Sequence, residues 1–247
     1  PESHDALKQY LGIEDDETLL RRLGCDFRRV EGRFVGPPDM VGAPGVRAVG
    51  KDFLGIVWQP KKNQFATYNE IAVHPLSHVN TVREVEDYPW PSVDWFDYSH
   101  LPGQIDRLNA ESRYCIVFFA GGSFETPWYM RGFENMFMDM ALNPELVHAI
   151  MGRVTDFYVP FFARVLEAGQ GEIDLVVTDV VMPGMGGSAL VEELRRTQPG
   201  VPALFISGYT DDALTPEAIA SPANGFLQKP FSPRRLARKV REALDSS

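Results

Sequence analysis

Cysteine is scarce in this chain: Cys25 and Cys115 are the only two among 247 residues. They fit no metal or redox spacing and build no disulfide framework, so a reducing, cytoplasmic setting is expected. Long apolar runs are missing too. "CIVFFA" at 115–120 has the length of a strand, well short of a bilayer span, and no membrane partner is expected. No charged-then-apolar signal segment opens the chain. Pro1 stands first instead of Met, which suggests that the reading frame starts upstream. Basic charge is in deficit, with 24 Lys and Arg against 34 Asp and Glu and a formal net charge of −10. A phosphate-binding surface needs a basic stripe, so nucleic acid is not an expected partner. What the chain has is apolar substance: 44% hydrophobic residues, enough for a sizeable core in one large or two ordinary domains.

The texture changes near residue 112. Before it, Pro, Gly and aromatics separate short elements. "DETLLRRLG" (16–24) reads as an amphipathic helix stopped by Gly24, with Asp15 and Asp16 stabilising its N-terminus. Residues 52–75 read as two antiparallel strands joined by a polar "QPKKNQ" turn, and 77–91 as a helix ended by Pro89 and Pro91. After 112 the rhythm is strand, helix, strand. "RYCIVFFA" (113–120) reads as a buried strand, and Pro144 opens a helix running to about Ala168. Strands 173–178, 202–207 and 225–228 alternate with a helix at 188–198 and a last helix N-capped by Ser232, with Pro233 at its first position. Such alternation implies right-handed crossovers and a parallel sheet, with ligands at the C-terminal strand ends.

Those ends carry the informative chemistry. One strand delivers Asp179 followed by "VVMPGMGG", the next delivers Ser207-Gly208, and the next Lys229-Pro230-Phe231. A carboxylate, a hydroxyl and an ammonium on one sheet edge form a phosphoryl-accepting set: one attacks phosphorus and the others bind its equatorial oxygens. Together, "DLVVTDVVMPGMGG", "LFISGY" and "GFLQKPFSPRRLARKVREAL" resemble the last three βα units of a response-regulator receiver domain, of the type attached to hybrid sensor kinases. The resemblance implies that Asp179 is the phosphoacceptor, that Ser207 shifts on phosphorylation, and that Lys229 bonds the phosphoryl group ahead of a cis Pro230. It also implies that Phe226 is the aromatic switch and that Mg²⁺ sits on Asp179 and the Val181 carbonyl. The acidic pair that completes this cage in receivers belongs to an earlier strand and is missing here. "EDDE" (14–17) does not supply it, because a receiver places the pair at the end of an apolar strand and the preceding "LKQYLGI" is of mixed polarity.

Residues 1–178 resemble a second family, the uroporphyrinogen decarboxylase-like barrels, through "ALKQYLGIEDDETLLRRLGCDFRRV", "EDYPWPSVDWFDY", "WYMRGFENMFMDMALNPELVHAIMGRVTDFYVPFF" and "EAGQGEIDLVVT". That resemblance implies a truncated TIM-barrel-like part with Tyr129 as a substrate-side tyrosine. Arg131 suits a substrate carboxylate, although beside a helix start a surface arginine is the plainer reading. His74 and His78 are four apart, but Pro75 between them spoils a metal-binding helix. The aromatics between Tyr88 and Tyr98 read as a packed loop, and Met130, Met136, Met138 and Met140 as helix packing material.

The expected fold is therefore α/β: a flavodoxin-like receiver half joined to a partial TIM-barrel-like half, with an N-terminal antiparallel β pair. The division falls at 1–171 and 172–247. Removing a receiver's first strand leaves 173–178 as an apolar edge. Strand 114–120 is expected to fill that place, offering Glu125 as a substitute metal acid. The function expected is a phosphoacceptor module of a two-component phosphorelay, impaired by the missing acidic pair and served by a histidine kinase or phosphotransfer protein. The alternatives are a decarboxylase- or methyltransferase-like fragment, or a recombinant, designed or assembled chimera with no evolved activity. Oligomeric state is not legible.

Overall fold

A computed structural model describes residues 2–25, 27–42, 48–64, 67–112, 114–118, 122, 124–169, 175–180, 186–197, 199–208 and 224–245. Two helices open the chain, α1 (Glu2–Leu11) and α2 (Asp16–Arg22). Asp15 caps α2, its carboxylate accepting the Thr18 N–H at 2.8 Å, and Gly24 takes φ 67° just beyond the helix end. Asp15 of "EDDE" thus serves a helix start, while Asp16 and Glu17 are held by basic partners. Strand β1 (Phe27–Arg29) carries Arg28, which is buried and bonded to Glu17 at 2.6 Å, with its guanidinium 3.7 Å from the centre of the Tyr114 ring.

Two small antiparallel sheets follow. One pairs β2 (Arg33–Phe34) with β6 (Phe96–Asp97), and the other is the meander β3 (Gly50–Lys51), β4 (Val57–Lys62), β5 (Thr67–Val73). The polar turn lies later than expected, because Pro60, Lys61 and Lys62 still pair with Asn69, Tyr68 and Thr67. The helix expected over 77–91 shortens to α3 (Val82–Glu86). A capping box between Thr81 and Glu84 starts it, and Asp87 already closes it. α4 (Leu101–Asn109), α5 (Glu125–Arg131) and α6 (Phe133–Leu142) lead to the 25-residue α7 (Pro144–Ala168), which begins at Pro144 as expected. Along α7, Leu146, Ile150, Val154, Phe157, Phe161 and Val165 recur at helical spacing and are buried. Phe96 lies edge-on to Phe53 and Phe161, tying the small sheets to that helix.

The last part is a parallel sheet in the order β10–β9–β8, built from β8 (Val176–Asp179), β9 (Ala203–Ser207) and β10 (Asn224–Gln228). Register sets Thr178 beside Phe205 and Phe205 beside Phe226. Helix α8 (Gly187–Thr197) presents Val191 to the cluster of Val180, Ala203 and Phe205. Its Leu190 and Leu194 join the same core as α7. Helix α9 (Pro233–Asp245) covers the opposite face: a Cβ on Gly225 would lie 3.0 Å from Leu204 and 3.8 Å from Ala243. Ser232 caps α9, its hydroxyl accepting the Arg235 N–H at 3.3 Å.

The fold is mixed α/β with parallel and antiparallel sheets, and the described strands close no barrel. One expectation is corrected. β7 (Cys115–Val117) pairs parallel with β1, Phe27 to Cys115 and Arg29 to Val117, and does not join β8. Arg28 explains the preference: anchored to Glu17 and to the carbonyls of Cys25 and Phe27, it holds β1 against the start of β7. Among the described residues β8 is a sheet edge, with Val177 49% exposed.

Candidate functional site

The C-terminal ends of β8, β9 and β10 meet at one edge. Asp179 ends β8 and stands in register with Ile206, so Ser207 projects one residue further along β9. Ser207 in turn pairs with Gln228, which places Lys229 immediately beyond. Two bonds fix Lys229. Its backbone N–H donates to the Ser207 carbonyl at 2.7 Å, and its ammonium lies 2.8 Å from the Asp179 carboxylate. Both side chains of that ion pair are about half exposed (47% and 46%), so the charges are reachable from solvent. Ser207 is buried, and the Lys229–Pro230 peptide is cis. Phe226 is partly buried against Val180, Val191, Ala203 and Phe205.

A residue the sequence did not single out sets this geometry. Gly187 begins α8 where the Val180 carbonyl accepts its N–H at 2.9 Å. A Cβ there would fall 2.1 Å from the Asp179 carbonyl oxygen, so only glycine lets the helix start this close to the strand end. The signal available was the glycine pair Gly186-Gly187 after the loop, unreadable without knowing what it approaches. Arg195 is a second such residue: it donates to the Val201 carbonyl at 3.0 Å and to Asn224 at 2.7 Å, clamping the other ends of β9 and β10. Burial lowers the Arg195 pKa.

Of the expected Mg²⁺ ligands, only Asp179 and Glu125 fall among the described residues. Val181 lies outside the described residues. Glu125 sits in the first turn of α5 and accepts a hydrogen bond from the Tyr129 hydroxyl one turn on. Among the described residues no three His, Cys, Asp or Glu side chains form a metal-holding group. A lone carboxylate paired with an ammonium does not fit a hard divalent cation, which takes several oxygen ligands.

The barrel-like candidates fare differently. Tyr129 is partly buried, edge-on to Trp58 at 5.5 Å and close to Trp128. Its carbonyl meets His74 Nδ1 at 2.7 Å, so His74 is a strut between β5 and α5. Arg131 is not a surface arginine. It is 6% exposed, pairs with the equally buried Asp139 at 2.7 Å, and donates to the carbonyls of Leu76 and Ser77 at 2.7 and 3.0 Å. A guanidinium so occupied holds α5, α6 and the 76–77 turn together. Burial pushes the Tyr88 phenol up to about 12, in keeping with a packed aromatic loop. Met130 and Met136 are buried, whereas Met138 and Met140 are exposed.

The chain is similar to two families at once. The model of the response regulator receiver domain matches residues 162–241, and that of uroporphyrinogen decarboxylase (URO-D) matches residues 72–176. The sensor kinase CckA of Brucella abortus (strain 2308) is 47% identical over 82 residues, covering 33% of this chain and 9% of that protein. The response regulator SaeR of Staphylococcus aureus (strain USA300) is 32% identical over 73 residues, covering 30% of this chain and 32% of that protein. Among solved structures, a response regulator receiver protein from Sinorhizobium medicae WSM419 is 28% identical over 36% of this chain and 70% of its own, with a TM-score of 0.30. The chain is thus chimera-like, with a URO-D-like part followed by a receiver-like part. The two matches overlap from α7 into the start of β8.

Proposed function

We propose that residues 172–247 form a receiver-type phosphoacceptor module of two-component signalling, appended to a URO-D-like part spanning 1–171. The observation that carries this reading is the contact of Lys229 with Asp179, 2.8 Å apart at the C-terminal edge of a parallel sheet, with Ser207 one strand over. In the proposed step an Asp179 oxygen attacks phosphorus, and the bond to the donor breaks with its electrons leaving on the donor. For a histidine kinase or phosphotransfer protein that donor atom is an imidazole nitrogen. Lys229 faces the negative charge gathered on the equatorial oxygens, and Ser207 is the hydroxyl that follows the phosphoryl group. Mg²⁺, where a receiver holds it, neutralises charge as phosphate meets carboxylate. Here a single acid and Lys229 provide the charge, so transfer is proposed to be slow and insensitive to the metal.

Incubation with acetyl phosphate, with and without Mg²⁺, followed by intact mass spectrometry, tests this. A single phosphate adduct that forms slowly, ignores Mg²⁺ and disappears in Asp179→Asn is expected. A folded protein that gives no adduct at all would defeat the reading. The match over 72–176 favours a second reading, a decarboxylase- or methyltransferase-like activity. Turnover of a porphyrinogen would select it. Absence of both activities would select a chimera without evolved activity.

A further inference from the structure

A cavity of about 270 Å³ lies beside the exposed edge of β8. β7 supplies Ile116, the residue just after it is Phe118, α7 supplies Phe162, β8 supplies Val176 and Val177, and α8 supplies Leu194. Every described residue of the lining is apolar, with no charge among them. Ile116 and Leu194 are shielded almost completely from bulk solvent, while Val177, half exposed, stands at the mouth. The lining unites both matched segments: β7 falls inside 72–176, α8 inside 162–241, and Phe162 in their overlap. The space exists because β7 pairs with β1 and leaves the flank of β8 without a strand.

We infer that this cavity is a binding site for a small uncharged hydrocarbon-like molecule of one or two rings. Apolar cavities of about 150 Å³ stay dry and take up benzene, and drug-sized sites begin at about 300 Å³. A volume between those bounds suits one or two rings. The lining offers water no hydrogen-bonding side chain, so filling it with apolar atoms recovers dispersion contacts that an empty space forfeits. No described side chain of the lining would replace the hydration of a charged or strongly polar ligand; the polar groups there are backbone, at the open edge of β8. The occupied site would bridge β7 and the sheet through apolar contact where no backbone hydrogen bond joins them.

Titration of the whole chain with benzene and with indole, read by methyl NMR at Val176, Leu190 and Leu194, tests the site. Saturable shifts in those methyl groups and a rise in Tm with probe concentration are expected, with no response to imidazole. Val177→Phe fills the mouth from a half-exposed position that tolerates the extra volume, and it should weaken binding at least tenfold. Val177→Ala should bind within about twofold of the wild type. Three results would overturn the site: no saturable methyl shift up to the solubility of either probe, an equal response to imidazole, or unchanged affinity in a folded Val177→Phe protein. None of these readouts involves Asp179, so this site stands or falls apart from the phosphoacceptor reading.

Discussion

Asp52 holds a turn by giving its carboxylate to three buried donors. The N–H groups of Leu54 and Ile56 and the indole N–H of Trp58 each lie 2.9 Å from it. Burial raises its pKa above the ordinary 3.8, against the opposing pull of those three bonds. The folded state therefore binds the proton more tightly than the unfolded state does. The group's contribution is largest below 3.8 and declines as the pH rises through the raised folded value. Asp52→Ala leaves three donors without an acceptor and should cost about 3 kcal/mol at neutral pH. Urea unfolding followed by tryptophan fluorescence checks this, and the deficit should widen as the pH is lowered toward 3.8. A deficit that narrows on acidification would contradict the assignment. Arg131 belongs to the same scale. Its neighbours in sequence, "PWYMRG", suggest a surface arginine near a helix start, whereas its 6% exposure is settled by Asp139 and by carbonyls more than fifty residues away.

At the scale of elements, the junction of β8 with α8 decides where Asp179 points. The Gly187 N–H bonds the Val180 carbonyl, and the missing side chain leaves room for the Asp179 carbonyl. Gly187→Ala places a methyl group against backbone that has no rotamer in which to escape. The variant should lose about 1–3 kcal/mol and shift the Asp179 carboxylate resonance as the strand end moves from Lys229. Gly200→Ala is the matching control, because a Cβ there meets nothing within 4 Å. Its stability should stay within about 0.5 kcal/mol of the wild type. Equal losses from the two variants would show that glycine flexibility, not the close approach, matters at 187.

At the scale of the whole molecule, α8 faces two ways. Val191 packs with Val180, Ala203 and Phe205, while Leu190 and Leu194 pack into the core built on α7. One helix thus carries apolar contact from the URO-D-like part into the receiver-like sheet. The chain should consequently unfold in one transition, with tryptophan fluorescence, dominated by the N-terminal part, and methyl signals of β9 sharing a midpoint. Leu194→Ala should lower both midpoints together, with a loss of about 2–5 kcal/mol in stability. Two separated midpoints in the wild type would show that the parts are independent domains.

Local rules in the sequence were enough for the elements whose signals are local. Pro144 starts α7 and its apolar period continues to Ala168. Ser232 and Pro233 start the last helix, and the order of Asp179, Ser207 and Lys229 after three apolar strands was sufficient to bring them to one edge. Three other features had to await the tertiary structure: the pairing of β7 with β1, the burial of Arg131, and the need for glycine at 187. The first two depend on contacts between segments distant in the chain, where several partners compete, and the third on how closely α8 starts against the end of β8. A periodicity shows that a strand will be buried, but the partner it is buried against is chosen by packing and by polar anchors such as Arg28. The apolar cavity beside β8 follows from that choice and has no trace in any single stretch of residues.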